Sequence, residues 1–183
     1  MAWPIITLGV VVGIGIVSAL YYNSFITLKT RVDNSFSQID VQLKRRQDLI
    51  PNLVETVKGY TSHEKKLLEN VTKARSAMST AGTMNEKAKA SNMLSSTLKS
   101  LFAVVENYPE LKADKNFQQL QNELKDTEDK IAYSRQFYND TVMRWNESIA
   151  RFPGNIVASM FHFTTRQYFE ASASDREAVK VKF

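Results

Sequence analysis

From Val32 to Met78 apolar side chains recur at alternating steps of four and three: Val32, Phe36, Ile39, Leu43, Ile50, Leu53, Val57, Tyr60, Leu67, Val71, Ala74 and Met78. Arg46 and Glu64 fall on the same series and are its only charged members. This period keeps one helix face turned toward a constant partner over many turns. As a single helix the stretch would be a rod of roughly 70 Å at 1.5 Å per residue. Pro51 is its one irregularity, and a proline inside a helix removes a backbone bond to the preceding turn. Because the seam stays in phase across Pro51, it predicts a kink near Asp48 to Ile50 and not a stop. Gly82 is the expected C-terminal cap of the rod.

Ahead of the seam, Met1 to Leu28 carries no charged side chain, and Ile5 to Leu20 is almost wholly apolar. With Trp3, Tyr21 and Tyr22 as interfacial aromatics, that run is long enough to cross the hydrocarbon core. A cleaved signal peptide is the rival reading, but the run has no basic residue before it and only Val17-Ser18-Ala19 as a weak cleavage site. Lys29 and Arg31 follow the run directly, with Lys44, Arg45 and Arg46 beyond. By the positive-inside rule the chain is expected to be a single-pass protein of the cell membrane with its bulk cytoplasmic; an extracytoplasmic placement is the alternative. Gly9 and Gly13 form a GxxxG, a spacing that lets membrane helices approach closely, and so mark a candidate self-association face.

A second helix is expected from about Asn85 to Asn107, with Ala90, Leu94, Leu98, Leu101 and Val105 inward. Tyr108-Pro109 ends it. A third should start on an Asp114 cap and reach about Arg151, burying Phe117, Leu120, Leu124, Ile131, Tyr138, Val142, Trp145, Ile149 and Phe152. After the Phe152-Pro153-Gly154 break, Asn155 to Phe161 should form a short fourth helix. The tail has no clean period, although Val179 to Phe183 alternates. The expected fold is therefore all-α: an elongated antiparallel helical bundle of three long helices plus a short fourth on an N-terminal transmembrane helix. Its expected divisions are an anchor over 1–24, a bundle over 25–152, and a short helix and tail over 153–183.

The second helix is too short to cover the whole rod, so the membrane-proximal seam, Val32, Phe36, Ile39 and Leu43, is the part expected to lack a partner in the chain. An open apolar stripe marks an interface, which predicts a homo-oligomer there; coverage by the third helix and the tail is the alternative. Arg46, a charge on the seam, is expected to form a buried or interfacial pair with a carboxylate from another helix, Glu123 or Glu128 for example; the alternative is a solvated basic face from which Arg46 reaches water along its aliphatic stem. Glu64 by the same logic asks for a Lys or Arg opposite.

No catalytic residue, cofactor site or metal site emerges. The chain has no Cys, which removes thiolate chemistry, and only two His, His63 and His162. His63-Glu64 opens like a zinc-protease helix, but Leu67 stands where the second His would be. Net charge is +5, and neither zinc-finger spacing nor an RNA-binding motif accompanies it, so the lipid bilayer is the expected partner and nucleic acid is not.

The run IDVQLKRRQDLIPNLVETVKGYTSHEKKLLENVTKAR, from Ile39 to Arg75, resembles the signature of the LemA family, and ENYPELKADKNFQQLQNELKDTEDKIAYSRQFYNDTV continues the likeness. The resemblance implies a membrane-attached helical bundle of bacteria with no established enzymatic activity. It further implies a binding role in membrane or protein quality control, beside a membrane protease. Arg45, Arg46, Asp48, Pro51, Asn52, Lys58, Gly59, His63 and Glu64 match the family motif and are given a structural or partner-binding role. The function expected from all of this is a non-enzymatic, self-associating helical scaffold that organises envelope partners, with an accessory or adaptor of a membrane protease as the alternative.

Overall fold

A computed structural model describes residues 2–61 and 64–169, and among these the only regular elements are helices. They are α1 (Trp3–Lys58), α2 (Lys65–Thr80), α3 (Met84–Val105), α4 (Pro109–Ala113), α5 (Lys115–Ala150) and α6 (Gly154–Met160). The described residues form two compact units. One comprises the chain up to Gln38 with Gln136–Tyr168, and the other Ile39–Arg135 with Phe169.

In the second unit the chain goes up, down, up and down. Arg75 on α2 donates from Nε to the Gln47 carbonyl of α1 at 3.2 Å, and Gln47 Nε2 donates to Ser79, so α2 runs back along α1. On α3, Lys87 meets Asp40 of α1 at 2.7 Å, so α3 runs alongside α1 in the same sense. Opposed again is α5: Tyr60 donates to Asp114 at 3.1 Å near its start, and Arg45 lies 3.8 Å from Asp126 further along. The core between them is apolar, with Ile50, Leu53, Val57, Val71, Leu94, Leu98, Leu101, Leu111, Phe117 and Leu124 buried.

The rod read from the sequence is therefore a hairpin. Pro51 lies inside α1, and the chain leaves the helix at Gly59, eight residues later. Both arms face one core, so each keeps the same four-three period and together they mimic a single helix. A small phase error betrays the turn: Leu68 is buried, while the seam residue Leu67 is only partly so and Tyr60 is exposed. Gly82 also differs from expectation. Its N–H and that of Thr83 both donate to Glu86 Oε2 at 2.9 Å, and Glu86 N–H donates to Thr83 Oγ1 at 3.3 Å, so this glycine belongs to the capping box that starts α3. Those backbone donors hold the Glu86 carboxyl below the usual carboxylate range. Asp114 does cap α5, accepting from Phe117 N–H at 2.8 Å, and that bond likewise lowers its carboxyl pKa.

The other unit packs the first part of α1 against the end of α5, α6 and the extended segment 163–168. Phe25 and Trp145, both buried, stand edge to face at 6.1 Å, and Phe163 closes the cluster at 5.3 Å from Phe25 and 5.6 Å from Trp145. Three α5 side chains hold the extended backbone. Trp145 Nε1 donates to Thr164 O at 2.9 Å, Tyr138 hydroxyl to Gln167 O at 2.9 Å, and Asn146 exchanges two hydrogen bonds with Arg166 at 3.0 and 2.8 Å.

Gly154 shows why this junction needs a glycine. A Cβ there would stand 2.7 Å from the Ser148 carbonyl oxygen, 3.3 Å from Phe25 and 3.4 Å from Tyr21. Gly154→Ala is expected to cost about 1–3 kcal/mol of stability, the usual penalty for forcing atoms into a filled site. Thermal melting of the full chain in detergent checks this; an unchanged transition would mean that the junction can spread.

Candidate functional site

The stripe expected to be open is closed by the chain itself. Val32, Ile39 and Leu43 are 2, 0 and 4 % exposed, and the half-buried ring of Phe36 lies 5.8 Å from that of Tyr138. The inference of an oligomer through these four residues thus loses its premise, and the alternative of coverage within the chain is the one observed. Phe152, placed inward by spacing, is 80 % exposed because α5 ends at Ala150. His162 is exposed, with φ at 55°.

In the motif, the conspicuous residue is Arg46, which is fully buried. Room for its guanidinium comes from α3, whose first half buries only small side chains, Ala88, Ala90 and Ser91, before the leucines begin. Nη2 donates to Ser91 Oγ at 2.6 Å and to Ser91 O at 3.1 Å; Nη1 donates to Ser95 Oγ at 2.9 Å and to the Glu128 carboxylate of α5. Ser95 Oγ donates to Glu128 Oε1 at 2.9 Å, and Arg135 donates to Ser91 Oγ while its guanidinium lies 4.8 Å from the Phe169 ring centre. Burial lowers the pKa of Arg46 from its ordinary value, and the charge and hydrogen bond of Glu128 oppose that shift. Every helix of this constellation is fixed by a donor or acceptor it needs, so the cluster ties α1, α3 and α5 into one register. Glu128 is one of the two carboxylates the sequence offered.

Glu64, in contrast, forms no ion pair among the described residues: it accepts from the Tyr108 hydroxyl at 3.1 Å, which raises the tyrosine pKa. Tyr108 was not foreseen as its partner. The remaining motif residues face outward. Arg45, Asp48, Pro51, Asn52 and Lys58 are all exposed; Arg45 lies near Asp126, and Asp48 pairs with Lys44 one turn away. His63 and the alternating tail Val179 to Phe183 lie outside the described residues. Among the described residues no group of three His, Asp or Glu side chains is placed to share a metal ion.

At the other end, α1 holds the one helix among the described residues that is long and apolar enough to cross a membrane, and none of that apolar window is buried. Added Cβ atoms at Gly9 and Gly13 would touch nothing within 4 Å. Beside it lies a feature that spacing alone did not flag, the uncharged stretch between Arg151 and Arg166. Its signal in the sequence is composition, a run of Phe, Pro, Gly, Ile, Val and Met without Asp, Glu, Lys or Arg.

Comparison with known proteins agrees with this architecture. The chain is 24% identical to magnetosome protein MamQ 2 of Paramagnetospirillum magneticum over 175 residues, covering 81% of this chain and 64% of that protein. It is 24% identical to magnetosome protein MamQ of Magnetospirillum gryphiswaldense, covering 84% and 66%. Protein LemA of Metamycoplasma hominis is 26% identical over 155 residues, covering 84% and 71%. The chain therefore spans slightly under two thirds of the length of the MamQ relatives. The sequence profile of the LemA family matches residues 35–183, which contain the buried arginine cluster, the hairpin and α6, and the chain belongs to the LemA family.

Proposed function

We propose that this protein is a non-enzymatic, single-pass scaffold of the bacterial inner membrane that self-associates through its anchor and presents a helical bundle to envelope partners. The observation that carries the reading is α1, a single helix whose lipid-length apolar half passes without interruption into a helical bundle. Support also comes from how the polar groups of the bundle are used: the arginine cluster satisfies its own serines and carboxylate. Val32, Ile39 and Leu43 are buried inside the chain, whereas added Cβ atoms at Gly9 and Gly13 would touch nothing within 4 Å, so this glycine face, on which Gly13 also borders the groove shared with α6, is open to a second copy. Lys29 and Arg31, directly after the apolar run, support a bundle on the cytoplasmic side by the positive-inside rule.

Mass measurement of the full-length protein in nanodiscs tests the reading. A multimer that falls to a monomer on Gly9→Leu with Gly13→Leu is the expected result; a strictly monomeric wild type would end it. The exposure of Arg45, Asp48 and Asn52, spaced by three and four along α1, favours a second reading, docking to a membrane protease as its accessory. Loss of co-purification with such a protease on Arg45→Ala with Asn52→Ala is the outcome that reading requires.

A further inference from the structure

Beside the anchor, α6 presents three different edges. Gly154, Val157 and Ala158 are buried. Ile156 and Met160, one helical turn apart, are 53 and 63 % exposed, and Phe152 and Phe161 flank them at 80 and 47 %. Asn155 and Ser159 form a narrow polar edge between those two surfaces. Four large apolar side chains around a seven-residue helix form an unusual surface to leave in water.

The neighbours of α6 say what covers that surface. Pro153, Ile156 and Val157 share a groove of about 500 Å³ with Val10, Ile14 and Val17 of α1. Those α1 residues lie inside the apolar run Ile5 to Leu20, and Ile14 is about 9 Å from the Leu20 end at 1.5 Å per residue. A side chain packed beside Ile14 shares its depth. Once α1 crosses the bilayer, α6 is below the headgroups by geometry alone.

Much of the backbone of this segment bonds within the protein, as lipid requires of N–H groups. Asn155 and Ile156 donate to Arg151 O and Pro153 O, at 2.9 and 3.1 Å. Phe161, His162 and Phe163 donate to Val157 O, Ser159 O and Ala158 O, at 3.1, 3.2 and 2.9 Å. The charges lie only at the two ends of the segment. Arg151, with its side chain 76% exposed and 3.3 Å from Glu147, precedes it, and Arg166, 3.4 Å from Asp33, follows.

We propose that residues 152–163 are a second membrane contact, a half-embedded helical turn whose Phe152, Ile156, Met160 and Phe161 side chains enter the acyl chains of the leaflet next to the anchor. The proposal rests on the reading of α1 as a transmembrane helix. It makes the membrane attachment two-part, one spanning helix with one wedge on a single leaflet.

The chain has no Cys, so single cysteines can be introduced at Ile156, Met160, Val12 and Ser37 of the full-length protein and labelled with an environment-sensitive fluorophore in nanodiscs. Val12 reports the anchor and the exposed Ser37 reports water. At Ile156 and at Met160, the emission is expected to be blue-shifted to match Val12, quenched by nitroxide-labelled lipid and insensitive to aqueous iodide. Emission like that of Ser37 at both, with Val12 reading lipid, overturns the wedge and leaves the anchor standing. Blue-shifted emission that lipid nitroxide does not quench also overturns it, because a protein surface then covers α6. A Val12 label that reads water removes the anchor reading and this proposal together. Two independent positions guard against one label disturbing the turn.

Discussion

Glu128→Ala is expected to destabilise the protein more than Arg46→Met does, although the two residues form one pair. Arg46 is fully buried, whereas the Glu128 side chain is 43% exposed. Removing the carboxylate strands a cation that cannot reach water; removing the guanidinium leaves a carboxylate that can. Loss of one partner from a fully buried pair costs about 3–5 kcal/mol, and partial exposure of Glu128 brings the expected cost down to about 2–3 kcal/mol. For a chain of this length that corresponds to a fall in melting temperature of roughly 4–12 °C. Arg46→Met keeps much of the volume, and Ser91 retains Arg135 as a donor, so about 1–2 kcal/mol is expected. The double variant should cost less than the two single costs added together, since both single variants break the same ion pair. Helix signal against temperature in detergent gives all three values, and an Arg46→Met cost above that of Glu128→Ala would show that the serines and not the carboxylate carry the cluster.

Trp145→Ala should cost about 3–5 kcal/mol in the unit built around the Phe25, Trp145 and Phe163 rings. The indole is 1 % exposed, contacts Phe25 and Phe163 edge to face, and donates to Thr164. Its removal opens a cavity and releases the backbone that the aromatic cluster holds. Trp145→Phe keeps most of the ring and loses the N–H donor, so about 1 kcal/mol is expected from the hydrogen bond with a smaller packing loss. Trypsin offers a local reading, because Arg166 sits in the segment that Trp145 and Asn146 hold. Cleavage after Arg166 should be slow in wild type, faster in Trp145→Phe and fastest in Trp145→Ala. Equal rates in all three would mean that the extended segment is held by something other than the indole.

These two sites were legible in the sequence to different degrees. A charge on an apolar seam demands a partner, so Arg46 pointed to a short list of carboxylates that contained Glu128. The inward face of α3 was also readable, since Ala90, Leu94, Leu98, Leu101 and Val105 are all buried at helical spacing. The hairpin was not, because two helices that face one core repeat one period, and Gly59 alone does not declare a turn. At Pro51 the unbroken phase of the seam was the better guide, since α1 continues through the proline. Nor could spacing show that α5 and the segment after α6 close over Val32 and Phe36. The extended residues 163–168 are held by side chain to backbone hydrogen bonds, and such bonds leave no period. Only the absence of charge between Arg151 and Arg166 hinted that this stretch has a separate environment.

The most direct test of the scaffold account is a disulfide scan of α1 in native membranes, with single cysteines placed at Gly9, Gly13, Val32, Ile39 and Leu43. Crosslinked dimers at Gly9 and Gly13, with none at Val32, Ile39 or Leu43, are what an anchor-mediated assembly with an internally filled seam predicts. Crosslinks at Ile39 and Leu43 with none in the anchor would contradict it, because the seam would then be shared between chains.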